Sequence, residues 1–229
     1  MAKNRILLLA MPVLLAGMQI AHAAESQTGE PSFRIGPEAV WNPGQTVVNE
    51  VRRGCMQLSF PELGECFAAG MKKVGASPEA VAFTHLLKND GYLLRFVRVG
   101  GPDIAFVAFP FRANENDGCL LVNGDPALIN VDDLRNLPQD EMKRDPAYES
   151  LLTEYPKAML WPGDRGDVDT VKVAPPKASG RSFLVSYMLL NGCHACARLA
   201  TVWFRFDFDS KGKYGDTHYQ KLERLPSVQ

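Results

Sequence analysis

The chain has 229 residues, with 25 Lys and Arg against 26 Asp and Glu, a net charge of −1, and 46% hydrophobic residues. So balanced a charge, spread without clusters, does not suggest nucleic acid or an anionic membrane as partner. The length suits one domain with a real core, or two small lobes.

Lys3 and Arg5 precede an apolar run over residues 6–15, and Ala21-His22-Ala23 is a small-x-small cleavage pattern. Together they predict a secretory signal peptide over residues 1–23, cut near Ala23, and a mature protein that is periplasmic or secreted. Met18 stands where a lipoprotein would need cysteine, so no lipid anchor is expected. No later stretch approaches the ~20 apolar residues that span a bilayer, so no transmembrane segment is expected in the mature chain. Losing Lys3 and Arg5 takes the 25 basic residues to 23 against 26 acidic ones, a charge of −3.

Residues 24–32 are polar and are expected to be disordered. Residues 33–43 carry Ile35, Val40 and Trp41 among Gly and Pro, an extended lead-in that anchors an aromatic in the core. Ser59-Phe60-Pro61-Glu62 has the form of a capping box, and Leu63, Phe67, Met71 and Val74 follow on one helical face. Ser77-Pro78 starts a second helix with Val81, Phe83, Leu86 and Leu87 inward, and Asp145-Pro146 opens a third with Tyr148, Leu151, Leu152 and Tyr155 inward. Strand-like runs lie at residues 92–99, 103–111, 119–123 and 128–131, separated by turns short enough to join antiparallel neighbours. Further strands are expected at 158–161 and 217–225, with residues 171–181 as a linker.

The dominant stretch is 182–209. Phe204, Phe206 and Phe208 alternate with Arg205, Asp207 and Asp209, the period of a half-buried strand. Phe183, Val185, Tyr187 and Leu189 alternate with Leu184, Ser186, Met188 and Leu190, so this arm is apolar on nearly both faces and belongs at the centre of a sheet. Asn191-Gly192 turns one arm into the other. The fold class is therefore α+β: an antiparallel sheet including a long C-terminal β-hairpin, with about three helices packed mainly on one face. Residues 33–229 form a single domain in this reading, with 33–170 and 171–229 as possible sub-lobes.

All five cysteines, at 55, 66, 119, 193 and 196, lie in the mature part, and an odd number leaves one without a partner inside the chain. In an oxidising compartment the first expectation is a Cys55–Cys66 staple across the capping box and a Cys193–Cys196 clip in the hairpin, with Cys119 a buried free thiol. Cys193-His194-Ala195-Cys196 also has the form of a thiol-disulfide redox centre, with His194 tuning the thiolate. Such centres place the first cysteine at a helix N-terminus, whereas Thr201, Val202 and Trp203 downstream read as strand. A zinc or copper site on Cys193, His194 and Cys196 would need a fourth ligand from Cys119, His218 or His85.

Arg112, Asn114, Glu115 and Asn116 make a dense polar loop of the kind that takes a small polar ligand, although a hairpin turn needs the same residue types. Trp203, on the polar face beside Arg205, is a candidate contact. Asp207-x-Asp209-x-Lys211-Gly212 fails as a calcium loop, because Lys211 and His218 stand where oxygen ligands belong. No nucleophile elbow, zincin helix or phosphate-cradling loop is present, and no cofactor is called for. The expectation is a non-catalytic, disulfide-stabilised binding or accessory protein whose partner is a small polar ligand or an envelope protein. The redox protein stands as the alternative, and the metal-binding protein after it.

Overall fold

The computed structural model describes residues 34–113, 116–175 and 180–226. The expected signal peptide and polar N-terminus lie outside the described residues, as do Asn114 and Glu115.

Three helices come first: α1 (Gln45–Cys55), α2 (Glu62–Lys73) and α3 (Pro78–Leu86). Residues 45–55, with Val48, Val51 and Cys55 buried, had no helix expected over them. The start of α2 also differs from the capping box read in the sequence: Pro61 is the N-cap residue and makes no side-chain cap, while the Ser59 carbonyl accepts the Leu63 N–H at 2.9 Å. At α3 the Ser77 hydroxyl does accept the Ala80 N–H at 3.1 Å, as Ser-Pro predicts.

A four-stranded antiparallel sheet follows, in the order β1 (Tyr92–Val97), β2 (Asp103–Ala108), β3 (Asp117–Val122) and β4 (Leu128–Asn130). Every residue of β2 is buried. One face, with Ala105, Val107, Leu120 and Val122, packs against Phe83 of α3 and the Ile35 to Ala39 lead-in. Trp41 joins Phe67 and Tyr92 in a cluster of edge-on and tilted rings between α2 and β1. The other face, with Ile104, Phe106, Cys119 and Leu121, packs on a second sheet.

That second sheet is built on the long hairpin β7 (Arg181–Asn191) and β8 (Arg198–Phe208). Phe183, Val185, Tyr187 and Leu189 of β7 and Val202, Phe204, Phe206 and Phe208 of β8 all point into the shared core, the face their alternation assigned. β9 (Tyr214–Arg224) pairs with β8. Strands of 11 residues outreach the 6-residue strands of the first sheet. Two short helices, α4 (Gln139–Lys143) and α5 (Pro146–Glu154), supply Met142, Tyr148 and Leu151 to the same core.

The remaining edge of β7 is shared by two short strands. β5 (Ala158–Pro162) pairs with residues 187–191, and β6 (Val171–Ala174), part of the stretch read as a linker, pairs with residues 182–185. Ser186 is the β7 residue between them, and the loop joining β5 to β6 passes it.

Candidate functional site

The β5–β6 loop carries Arg165 into the interior, where only 3% of it is exposed. Its Nη1 donates to the Ser186 carbonyl at 3.1 Å, filling the gap left between the two edge strands. Gly163 makes this approach possible, because a Cβ there would stand 2.6 Å from that same carbonyl oxygen. Arg165 Nε donates to Asp132 Oδ1 at 2.7 Å, and Asp132 Oδ2 accepts the Cys119 N–H at 2.8 Å. One buried ion pair thus joins the loop of the second sheet to β3 and the end of β4 in the first. Beside it, the Tyr187 hydroxyl donates to the Val131 carbonyl at 2.6 Å, a second polar tie between the sheets.

A cleft of about 360 Å³ opens above this pair, lined by Asn116 and Asp117 from β3 and its approach, Asp164 and Arg165, Met188 of β7, and His194 at the hairpin tip. Burial, and the neighbouring Asp164 carboxylate, push the Asp117 carboxyl above its ordinary value. The His194 ring packs edge-on to Trp161, 5.3 Å between centroids. The Trp161 Nε1 is buried and has no hydrogen-bond partner among the described residues.

Cys193 and Cys196 are joined in a disulfide, as are Cys55 and Cys66. The first pair closes the turn of the β7–β8 hairpin, away from any helix N-terminus, and it occupies both sulfurs that a metal or a thiolate nucleophile would use. Among the described residues no three His, Cys, Asp or Glu side chains gather as a ligand set. Cys119 is free and buried, and burial pushes its thiol up to about 12, leaving it protonated at neutral pH.

The two features singled out in the sequence for chemistry, the polar loop before β3 and the His between cysteines, meet at this cleft through Asn116 and His194. Arg112 turns elsewhere: it pairs with Asp90 and lies over the Phe109 ring. Trp203 is half-buried, donates to Glu223 Oε2 at 2.8 Å, and has Lys172 and Lys221 over its ring, far from an open contact. Its neighbour Arg205 is buried in a network with Ser182, Asp207 and the Pro175 carbonyl. Asp164 and Arg165 were not candidates in the sequence, Asp117 entered only as the end of the polar loop, and Met188 only as a strand residue. The usable signal was a charged pair set between Gly163 and Gly166, where a loop needs close backbone approach.

Comparison with known proteins gives no match to a family model, to a curated protein or to a solved structure.

Proposed function

We propose that the protein is a non-catalytic binding protein of the bacterial periplasm, and that the cleft takes a small polar ligand bearing a cationic group. The observation that carries this reading is the pair Asp117 and Asp164 at the mouth of the cleft. Their mutual repulsion is relieved by a positive charge placed between them. The positive charge of Arg165 is already engaged by Asp132, so the cleft is acidic toward a ligand. Met188 and the His194 ring, which Trp161 backs edge-on, offer an apolar and aromatic wall for the rest of the molecule. Two disulfides support an oxidising compartment, and among the described residues no helix is long and apolar enough to cross a membrane.

Three probes of one length test the charge: butane-1,4-diamine, butane-1,4-diol and succinate, each followed by thermal shift and calorimetry. Only the diamine should bind, and Asp164→Asn should weaken it by about tenfold or more, as loss of one close ion pair implies. Binding of succinate in preference to the diamine would overturn the reading. The folded-state pKa of Asp117 lies above its unfolded value, so ionising this group costs stability above the unfolded value near ~3.9. Asp117→Asn should therefore raise Tm near neutral pH, with the gain vanishing below about pH 4.

The redox reading stays distinguishable by one number. A Cys193–Cys196 reduction potential below about −300 mV marks a structural clip, whereas about −120 to −200 mV would make the pair an oxidant or isomerase.

A further inference from the structure

The link between α1 and α2 exposes apolar side chains that a folded chain ordinarily hides. Met56 is 54% exposed, Leu58 44% and Phe60 57%, three of five consecutive residues. The loop is held out in this form. The Cys55–Cys66 disulfide clamps its two ends, the Leu58 N–H donates to the Cys55 carbonyl at 3.0 Å, and the Phe60 ring rests edge-on against Phe111.

Immediately before it, the last turns of α1 present Arg52 and Arg53, neither in an ion pair among the described residues. With Asn49 and Thr46, one and two turns back on the same helix face, they line an open depression of about 410 Å³. Glu50 on α1 and Glu62 and Glu65 on α2 are exposed nearby, but the charged residues that line the depression itself are the two arginines. The chain as a whole is nearly neutral, yet the lining of this depression is cationic.

We infer that this corner docks the protein on an anionic lipid surface. Met56, Leu58 and Phe60 enter the headgroup boundary, and Arg52 and Arg53 hold a headgroup phosphate. A protein partner fits less well. Three side chains fall far short of the ~800 Å² that each side of a stable interface buries. A two-fold contact with a second copy would also bring like arginine pairs together. Insertion into lipid needs no complementary surface.

The test is co-sedimentation of the protein, purified from an oxidising compartment, with vesicles of phosphatidylcholine alone or with about 30 mol % phosphatidylglycerol. The protein should bind the anionic vesicles at least about tenfold better, and lose that preference in about 0.5 M salt. Phe60→Asp and the pair Arg52→Glu, Arg53→Glu should each abolish binding. These residues lie at the surface, and an unchanged Tm confirms that the variants fold. Excess inorganic phosphate should leave vesicle binding in place, since free phosphate reaches the arginines but not the apolar tip. Failure to bind anionic vesicles, full binding by Phe60→Asp, or a dimer in solution that Phe60→Asp splits would each overturn the inference. None of these outcomes touches the cleft, whose diamine binding is read separately.

Discussion

Asp103 shows how a single side chain can organise a region. It is 1% exposed, and its Oδ1 accepts the N–H groups of Val99, Gly100 and Gly101, at 2.7, 2.8 and 3.3 Å. Its Oδ2 accepts Asn123 Nδ2 at 2.8 Å, and Asn123 in turn holds both backbone groups of Ile35. Gly100 and Gly101 have φ of 106° and 79°, a conformation that lets three successive amides converge on one oxygen. Burial alone would raise this carboxyl, but the hydrogen bonds from Gly100, Asn123, Val99 and Gly101 outweigh it and hold it below its ordinary value. Stability from Asp103 is thus present above the unfolded carboxylate value and lost as pH falls through the lower folded one. Asp103→Ala should cost about 3 kcal/mol at neutral pH by chemical denaturation, because it orphans several buried donors at once. The penalty should shrink in acid, where the wild type loses the same charge.

Among the elements, the disulfides act on short connections. Cys55 and Cys66 lie 11 residues apart, and replacing both by Ser should remove about 3 kcal/mol, read from urea midpoints at unchanged slope. An α1 helix that needs no cap side chain and ends in a staple was hard to read in advance. Its N-cap is Gly44, its buried positions are few, and Arg52 and Arg53 dilute the apolar stripe. By contrast the Ser77 and Asp145 caps were legible, since a cap is a contact within three residues. The strand β6 was read as a linker for a related reason. Its Val-Lys-Val-Ala is too short to show a period, and only its partner β7 makes it a strand.

At the scale of the whole molecule, the two sheets meet through a core and a few polar ties. At one end the β3–β4 turn touches the β8–β9 turn: the Asp125 N–H donates to the Gly212 carbonyl at 2.8 Å, and the Tyr214 N–H donates to the Asp125 carbonyl at 2.7 Å. A Cβ on Gly124 would stand 2.9 Å from the Gly212 carbonyl oxygen and 3.3 Å from Pro102. Gly124→Ala should therefore push the sheets apart and cost about 1–3 kcal/mol. Gly54, inside α1 with nothing within 4 Å of a Cβ, is the control, and Gly54→Ala should stabilise by about 0.5–1 kcal/mol. A loss at Gly54 equal to that at Gly124 would sink the close-contact explanation.

The sequence by itself determined the α+β class and the long hairpin with its inward phenylalanines, and it offered Cys55–Cys66 and Cys193–Cys196 as the first expectation among several pairings. Each of these rests on spacing within one element or on partners a few residues apart. Only the tertiary structure decided that there are two sheets, that Arg165 fills the gap at Ser186, and that Asp117, Asp164 and His194 share a cleft. Those relations join residues 21 to 77 positions apart, from Arg165 with Ser186 to Asp117 with His194. A buried arginine carries no periodicity, and its partners exist only once two short strands have divided one edge of β7 between them.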